Sequence, residues 1–361
     1  MNLIVTGATG ILGSQILIEL LKNNDIEKIH LLIRDKKHVN AKERFSKLIK
    51  SDAFSSFENI EEKVVVYDPV SFLKPEDYLT KDDNNYFIHS AGFVNLTTDE
   101  KHRQSIFDEN LEFTKKLFGT FKDFISKFTY ISTAFAIGEI GGTIQNDYHT
   151  NTASTYRNAY EESKHLTEKF LLQEKNHNIP IQILRPSVLG GNIYSNPKYY
   201  ISKYLVYYLL GKFFYKNPLL ENSSIRISAN IKTGLNIIPT DYVAKVISKV
   251  FLMDIAQLNI VHNTCTNLSK GIGKIMEAVN FKNYTIIDNV ANEEIKAKNK
   301  IESYYYATIG NHLSSYLLAE PYEFDTEVLD TVIPIPKYNL EEYLGETIKY
   351  AMQNNFKNEP W

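Results

Sequence analysis

Short apolar segments alternate along the chain with longer stretches in which apolar residues recur every three or four positions. The first apolar segment, NLIV at 2–5, predicts a buried strand, and ILGSQILIELLKN at 11–23 predicts an amphipathic helix. Further strand-like segments lie at 28–37, 63–68, 85–92, 128–135 and 179–187. This alternation predicts an α/β fold of Rossmann type, with a doubly wound parallel sheet.

A different pattern follows the last of these strands. The segment KYLVYYLLGKFFYK at 203–216 has too few polar positions for an ordinary surface helix. This favours a helix buried in a second lobe or at a subunit interface, and it leaves open an acyl-chain channel or a helix lying on a membrane. We predict an NADP-binding Rossmann domain at 1–191, completed by about 236–265, and a smaller, mostly helical substrate-binding lobe made of 192–235 and 266–361.

Composition narrows the class of protein. The 361 residues are 43% hydrophobic, enough for a large core, and the net charge of −3 gives no electrostatic argument for nucleic-acid binding. Cys265 is the single cysteine, and the nine histidines lack metal-ligand spacing, so no disulfide framework or metal site is predicted. The sequence has no apolar stretch of about 18 residues and no signal-peptide pattern. We expect a cytoplasmic protein, with membrane contact through 203–216 left open.

A glycine-rich motif, TGATGILG at 6–13, joins the first strand to the first helix. Gly7, Gly10 and Gly13 recur at three-residue spacing, which allows a sharp turn, close approach to a pyrophosphate and tight packing of the helix. The free N–H groups at the helix N-terminus then face the phosphates. Its position between a strand and a helix predicts a dinucleotide-binding site.

The end of the second predicted strand bears on the choice of cofactor. An acidic residue there accepts hydrogen bonds from the ribose 2′-hydroxyl of NAD, whereas a guanidinium pairs with the 2′-phosphate of NADP. The chain has Arg34 at this position, followed by Asp35 and two lysines. Arg34 favours NADP(H) over NAD(H). Because the acidic Asp35 is adjacent, a second interpretation stays open, in which these charged residues form a solvated cluster with no cofactor role.

A tyrosine and a lysine, Tyr160 and Lys164, stand four residues apart in RNAYEESKHLTEKF at 157–170. On a helix this spacing brings both side chains to one face. A nearby ammonium stabilises the phenolate, so it would lower the tyrosine pKa from about 10 and make a working proton donor. Such pairs also arise by chance in a chain with 24 tyrosines, as Tyr208 and Lys212 illustrate.

Taken together, these motifs resemble the extended short-chain dehydrogenase/reductase superfamily over roughly 1–265. The resemblance is carried by TGATGILG, HSAG at 89–92, ISTAF at 131–135, NAYEESK at 158–164, LRPSVLGG at 184–191 and NIIPTDYVA at 236–244. Within the superfamily the chain is similar to the fatty acyl-CoA reductase and thioester reductase branch. That similarity rests on Arg34, FIHSAGFVNL at 87–96, Asn110 and YEFDTEVL at 322–329.

The resemblance implies a role for each motif residue by its position. Tyr160 would donate a proton to the substrate carbonyl oxygen, and Lys164 would lower the Tyr160 pKa and hold the nicotinamide ribose. Thr133 would give a second hydrogen bond to the same oxygen, with Ser132 as the alternative. The cofactor would be held by Gly7, Thr9, Gly10, Ile11 and Gly13 at the pyrophosphate, Arg34 at the 2′-phosphate, Asp68 at the adenine, Ala91 and Gly92 at the same sheet edge, and Pro186 and Ser187 at the nicotinamide.

The resemblance implies an NADPH-dependent oxidoreductase that reduces an acyl thioester or lipid-like carbonyl to an aldehyde or alcohol. Two alternatives stay open. One is an NAD-dependent epimerase or hydroxyl dehydrogenase for a nucleotide sugar or sterol-like alcohol, and the other is an NADP-sensing regulator without catalysis. The intact Tyr160–Lys164 pair favours an enzyme. The expected partner is a small-molecule or carrier-bound acyl substrate, and the sequence leaves the oligomeric state open.

Overall fold

A seven-stranded parallel sheet lies at the centre of the fold. The structure is a computed structural model and describes residues 1–36, 38–81, 84–148, 155–174, 179–217 and 223–361. Its strands are β1 (Asn2–Thr6), β2 (Lys28–Leu32), β3 (Val64–Tyr67), β4 (Asn85–His89), β5 (Lys127–Ile131), β6 (Gly142–Ile144), β7 (Ile181–Pro186), β8 (Val188–Gly190), β9 (Ile225–Ala229), β10 (Ile237–Pro239), β11 (Gln257–Ile260), β12 (Tyr284–Asp288) and β13 (Tyr322–Phe324). Its α-helices are α1 (Ile11–Leu21), α2 (Ala41–Ile49), α3 (Ile60–Lys63), α4 (Pro69–Phe72), α5 (Arg103–Phe107), α6 (Phe113–Phe121), α7 (Ala159–Glu174), α8 (Tyr207–Lys216), α9 (Thr240–Val250), α10 (Leu268–Ala278), α11 (Lys300–Ala307), α12 (Ile309–Leu317), α13 (Glu327–Val332) and α14 (Leu340–Gln353).

The order of the strands in the main sheet is β11-β7-β5-β4-β1-β2-β3, and every neighbouring pair is parallel. The chain lays down β1, β2 and β3 in one direction and then returns to the other side of β1 to place β4. The winding therefore reverses between β1 and β4. Ligands of such sheets bind at this point, in the crevice beyond the carboxyl ends of the strands. The predicted doubly wound parallel sheet is confirmed.

Alternate residues of the central strands belong to two separate cores. In β1, Leu3 and Val5 join the core beneath α1 and α9, whereas Ile4 joins the core on the opposite face with Phe87 and Phe118. Successive side chains of a strand point to opposite faces of the sheet. Because helices cover both faces, each central strand is apolar on both sides, which explains the unbroken apolar run at the N-terminus.

A third core lies in the part of the chain that we call the C-terminal lobe, residues 192–235 and 266–361. Helices α8, α10, α12 and α14 surround it, and α8 buries Tyr208, Leu210 and Phe214 there. The apolar segment 203–216 thus packs inside the lobe, which is one of the alternatives that the sequence left open. Membrane contact through this segment stays a prediction. None of the helices within the described ranges is long and apolar enough to cross a membrane.

A short parallel strand pair links the lobe to the rest of the chain, since β13 of the lobe pairs with β6. A second short pair, β10 with β8, lies outside the lobe, directly after the main-sheet strand β7. Strand β6 falls inside the predicted first domain but pairs with a strand of the lobe. The predicted domain boundaries stay predictions, and the β6–β13 pair joins the lobe to the first domain.

Candidate active site

The loop between β1 and α1 requires glycine at two positions. Gly7 has φ +81°, and a Cβ atom there would lie 2.6 Å from the Ala91 nitrogen. A Cβ atom at Gly13 would lie 2.0 Å from the Gly7 carbonyl oxygen, far inside van der Waals contact. Any larger residue would displace the loop or the helix. The two glycines therefore allow the loop to pass tightly beneath the end of β4.

The N-terminus of α1 faces a cavity. Gly10 occupies the N-cap position, and the first turn carries no acidic residue. Gly10, Ile11 and Leu12 line the cavity wall. Free N–H groups and the positive end of a helix dipole favour an anion at this position. The glycine-rich loop and the N-terminus of α1 together form a phosphate cradle, which fits the pyrophosphate of a dinucleotide.

Two cations from elsewhere in the chain lie against this loop. Arg44 in α2 donates through Nη2 to Thr9 Oγ1 at 2.9 Å and through Nη1 to the Arg34 carbonyl oxygen. Lys203, from the C-terminal lobe, donates through Nζ to the Thr9 carbonyl oxygen at 3.0 Å and lines the same cavity. Burial, together with the charges of Lys36 and Arg44, lowers the pKa of Lys203 to about 8. A partly dry group of cations at this position favours a bound phosphate.

Two predicted cofactor ligands at neighbouring strand ends already have protein partners. Arg34 follows β2, is exposed, and pairs with Glu109 at 2.7 and 2.9 Å. Asp68 follows β3, where its carboxylate accepts two backbone N–H bonds from α4, at 2.8 and 3.1 Å. Asp35 accepts the Ala41 N–H at 2.8 Å, at the start of α2. Asp35 therefore has a structural role, and the adenine contact of Asp68 stays a prediction.

Helix α7 carries Tyr160 and Lys164 to the same cavity, one turn apart. Lys164 is only 3% exposed. Its Nζ donates to the Ile131 carbonyl oxygen at 3.0 Å and lies 4.6 Å from the centre of the Tyr130 ring. Tyr160 is half-buried in the cavity wall. The end of β5 thus holds the lysine head in place, and the phenol stays accessible to a ligand.

The protonation states of this pair differ from the expectation. Burial, with a smaller contribution from Glu161, raises the pKa of Tyr160 above its ordinary value. Burial also lowers the pKa of Lys164 to about 8, against the opposing charge of Glu168. The expected lowering of the Tyr160 pKa is therefore wrong for the polypeptide alone, because loss of solvation disfavours both charged forms. Tyr160 is a neutral phenol at neutral pH, which is the form that donates a proton.

The hydroxyl groups of Ser132, Thr133 and Ser187 are among those that line the cavity with Tyr160. Thr133 Oγ1 accepts the Phe135 N–H at 3.3 Å, so its own proton remains available. The Oγ atoms of Ser132 and Ser187 are buried, and neither has a hydrogen-bond partner among the residues that the structure describes. Burial of an unpaired hydroxyl costs free energy, which a ligand atom would recover. Both serines therefore fit polar atoms of a bound group, and Ser132 joins Thr133 as a candidate donor.

A buried asparagine connects the loop after β4 to α7. Asn110 lies in a π-helical turn, accepts the Phe93 N–H at 2.8 Å and donates to Ser163 Oγ at 2.9 Å. Such turns often occur at functional sites. A Cβ atom at Gly92 in this loop would lie 3.2 Å from Lys164 Nζ. The loop therefore leaves just enough room for the lysine head.

A buried ion pair supports α7 one turn beyond Lys164. Glu168 and Arg185 are both fully buried, with Arg185 Nη2 2.8 Å from Glu168 Oε2. The Tyr148 hydroxyl donates to the same carboxylate at 2.9 Å. Arg185 directly precedes Pro186 at the end of β7. The pair thus joins α7 to β7, whose last residue, Pro186, lines the cavity.

One cavity of about 360 Å³ joins these residues. Its polar and glycine wall contains Gly10, Gly13, Gly92, Ser132, Thr133, Tyr160, Lys164, Pro186, Ser187 and Lys203. Its other walls are apolar and include Val94, Leu96, Phe135, Ile201, Leu205 and Val206. Gly7, Thr9 and Ala91 lie in the loops behind the first wall, whereas Arg34 and Asp68 lie farther along the sheet edge. The structure therefore brings most of the predicted site residues to one cavity.

The sequence matches a known family model over two thirds of its length. The model is the NAD-binding family described as male sterility protein, and the match covers 5–247. The chain belongs to this family. It is thereby a member of the extended short-chain dehydrogenase/reductases, an NAD(P)-dependent oxidoreductase class, as the motifs predicted. A nicotinamide cofactor follows from this membership.

Curated relatives of the chain occur in Drosophila melanogaster. Fatty acyl-CoA reductase wat is 27% identical over 221 residues, which are 51% of this chain and 42% of the relative. The putative fatty acyl-CoA reductase CG8303 is 25% identical over 229 residues, which are 53% of this chain and 41% of the relative. The match thus spans about two fifths of the length of each relative.

Solved structures share the fold at low sequence identity. The terminal R domain from the myxalamid PKS-NRPS biosynthetic pathway has a TM-score of 0.73 at 16% identity, covering 100% of this chain and 92% of that domain. A UDP-glucuronic acid 4-epimerase from Bacillus cereus has a TM-score of 0.65 at 18% identity, covering 98% of this chain and 100% of the epimerase. Both structural similarities extend through the C-terminal lobe. The NAD-binding fold and a lobe of this kind therefore occur together in known structures.

Three residues that shape this site were missed by the sequence analysis: Arg44, Lys203 and Tyr316. Lys203 offers one usable signal, since it stands at the edge of the most apolar run of the chain. Arg44 lies in a separate helix, and its distance from the glycine loop cannot be read from spacing. Tyr316 is one of 24 tyrosines and reaches the cavity wall only through the packing of α12.

Proposed function

We propose that this chain is an NADPH-dependent reductase of an acyl thioester or a lipid-like carbonyl, with Tyr160 as the proton donor. The observation that carries the proposal is the single cavity in which the α1 N-terminus, Lys164 and the hydroxyls of Thr133 and Tyr160 meet. That arrangement supports a dinucleotide bound along the sheet edge, with its reactive end beside a carbonyl group of the substrate.

The charges around the glycine loop support NADP(H) rather than NAD(H). The side chains of Arg44 and Lys203 both contact Thr9. Burial, together with the nearby charge of Arg34, which is paired with Glu109, lowers the pKa of Arg44. Asp35, the acidic residue nearest the position that would bind an NAD ribose, accepts the Ala41 N–H at the start of α2 instead. A 2′-phosphate and a pyrophosphate would together supply the anionic charge that this group of cations favours.

The chemistry of the chain's own residues fits carbonyl reduction. The nicotinamide, when bound, supplies the hydride to the carbonyl carbon. Tyr160, a neutral phenol, transfers its proton to the carbonyl oxygen, and Thr133 or Ser132 donates a second hydrogen bond that stabilises the developing negative charge. With a thioester, the resulting thiohemiacetal breaks its C–S bond to release a thiol and an aldehyde. A second hydride transfer would give an alcohol.

The apolar walls of the cavity support an acyl substrate. Val94, Leu96, Ile201 and Leu205 face the catalytic side chains, and these residues offer few partners to the hydroxyl groups of a sugar. The curated relatives named as fatty acyl-CoA reductases agree with this choice. An NAD-dependent epimerase or hydroxyl dehydrogenase remains the alternative, because the epimerase fold is nearly as similar as that of the R domain.

The test measures NADPH and NADH oxidation with a series of acyl thioesters and the matching aldehydes. Tyr160→Phe is compared with Tyr304→Phe, which changes a tyrosine that is 53% exposed and lies outside the cavity. Loss of the general acid is expected to lower kcat by about 10²- to 10⁴-fold, whereas the control should match the wild type. Reduction of aldehydes alone would narrow the function to a carbonyl reductase. No oxidation with any substrate, together with co-purified NAD, would contradict the proposal and favour the epimerase or dehydrogenase.

A further inference from the structure

The C-terminal lobe contains a second cavity, of about 50 Å³, between α8, α10, α12 and α14. Most of its wall is made of aliphatic side chains, including Leu210, Leu268, Ile272, Ile275, Leu313 and Leu344. Apolar cavities of this kind stay dry and bind apolar molecules. The chemistry of the wall therefore selects a hydrocarbon ligand.

The second cavity adjoins the reaction cavity. Val206 and Tyr316 line both cavities and form a shared wall between them. The Tyr316 hydroxyl accepts a hydrogen bond from Asn158 Nδ2 at 2.8 Å, and the ring packs edge-on against Phe135 at 5.7 Å. The hydroxyl is thus held toward the start of α7. The Arg157 guanidinium lies 5.4 Å from the centre of the same ring, so contacts with Arg157 and Phe135 hold the ring where it lines both cavities.

The backbone at Val206 is strained. This residue has φ +53° and ψ −117° at the start of α8. A β-branched residue rarely adopts a positive φ, because its Cβ atom crowds the backbone. Strained residues of this kind concentrate at active sites and ligand contacts. The strain at Val206 lies in the shared wall, so it marks the same place as the two cavities by a separate observation.

We propose that the second cavity binds the far end of the substrate's acyl chain and that Val206 and Tyr316 form the passage into it. The proposal rests on the function proposed above and names the part of the substrate that the lobe recognises. At about 10–15 Å³ for each water-sized group, the cavity holds about three to five methylene groups. Each methylene buried there contributes roughly fourfold in affinity. Long-chain thioesters should therefore be preferred over short ones that end in the reaction cavity.

A matched pair of variants tests this preference. Leu268 and Leu340 are the first residues of α10 and α14, both follow an asparagine N-cap, and both are nearly buried at 7% and 5% exposure. Only Leu268 of the two lines the cavity. Leu268→Phe is expected to lower kcat/KM for long-chain thioesters by about tenfold or more and to leave short-chain thioesters within about twofold. Leu340→Phe should leave the chain-length profile unchanged, and equal profiles in the two variants would overturn the proposal.

A binding measurement separates this inference from the proposed activity. Calorimetric titration with a saturated long-chain fatty acid reports on the cavity without any reaction. Weaker binding by Leu268→Phe than by Leu340→Phe would support acyl-chain binding in the second cavity. This holds even if the wild type reduces no thioester and the proposed activity fails. No binding by the wild type, or equal binding by both variants, overturns the proposal.

Discussion

Replacing Lys203 with methionine removes the cation that reaches the glycine-rich loop from the C-terminal lobe. Lys203 Nζ lies 3.0 Å from the Thr9 carbonyl oxygen, in the cavity that the α1 N-terminus lines. Methionine keeps the length and apolar character of the stem. The change therefore removes one charge from the α1 end of the cavity, together with the hydrogen bond to Thr9.

The expected loss of cofactor affinity follows from the kind of contact. A hydrogen bond to a charged group contributes about 1.5–3 kcal/mol, so NADPH should bind Lys203→Met about 10- to 150-fold more weakly. The pKa of Lys203 near 8 adds a pH dependence. Only the protonated lysine attracts phosphate, so wild-type affinity should fall above pH 8 by up to about tenfold per pH unit. The variant should lack this fall.

The same substitution should stabilise the protein. Burial lowers the pKa of Lys203 from 10.5 to about 8, so the charged form is disfavoured in the folded state. Below pH 8 both the folded and the unfolded chain are protonated, and the folded chain bears a cost of about 3 kcal/mol. Between pH 8 and 10.5 the folded chain loses its proton first, and this cost disappears. Lys203→Met should thus be more stable than the wild type below pH 8 and equally stable above about 10.5.

Fluorescence titration with NADPH from pH 6.5 to about 9.5, together with urea unfolding at the same pH values, measures both effects. Lys212→Met is the matched control, since Lys212 lies in the same apolar run but outside the cavity. An NADPH Kd within about twofold of the wild type, with the fall above pH 8 retained, would refute a phosphate contact for Lys203.

Two further substitutions test the remaining charges. Glu168→Gln is expected to lower the free energy of unfolding by about 3–5 kcal/mol in urea, because Arg185 would keep a buried charge without its partner. Glu346→Gln, in an exposed ion pair, should cost less than about 1 kcal/mol, and equal losses would contradict the argument. If Arg34 binds the 2′-phosphate as proposed, Arg34→Ala should weaken NADPH binding by about 1.5–3 kcal/mol and leave NADH binding nearly unchanged, because NADH lacks that phosphate. Glu109→Gln should strengthen NADPH binding by releasing Arg34, and equal effects on both cofactors would exclude a 2′-phosphate contact.

The local parts of the site could be read from the sequence because each depends on near neighbours in the chain. The glycine-rich loop needs small residues at Gly7 and Gly13, where a Cβ atom would collide with backbone atoms. The i, i+4 spacing of Tyr160 and Lys164 puts both on one face of any helix that contains them. Strands that are apolar on both faces likewise indicate a parallel sheet with helices packed on both sides. These signals were sufficient for the fold and for most of the cavity wall.

The protonation state of Tyr160 could not be predicted in this way. The spacing predicted that Lys164 would lower the tyrosine pKa, but burial raises it in the folded chain. Desolvation depends on how much protein surrounds a group in space, and residue spacing carries no measure of that. The structural role of Asp35 could not be predicted either, since its hydrogen bond with the Ala41 N–H depends on where α2 begins in the folded chain.

By itself, the sequence determined the doubly wound sheet, the glycine-rich cradle and the tyrosine–lysine helix, because each follows from patterns that repeat within a few residues. The tertiary structure alone decided what surrounds them. Lys203 contacts Thr9 across 194 positions of the chain, and Tyr316 meets Asn158 across 158. Contacts between such distant residues depend on how the C-terminal lobe packs against the edge of the sheet. The extra cation, the shared wall and the second apolar cavity therefore became visible only in the folded chain.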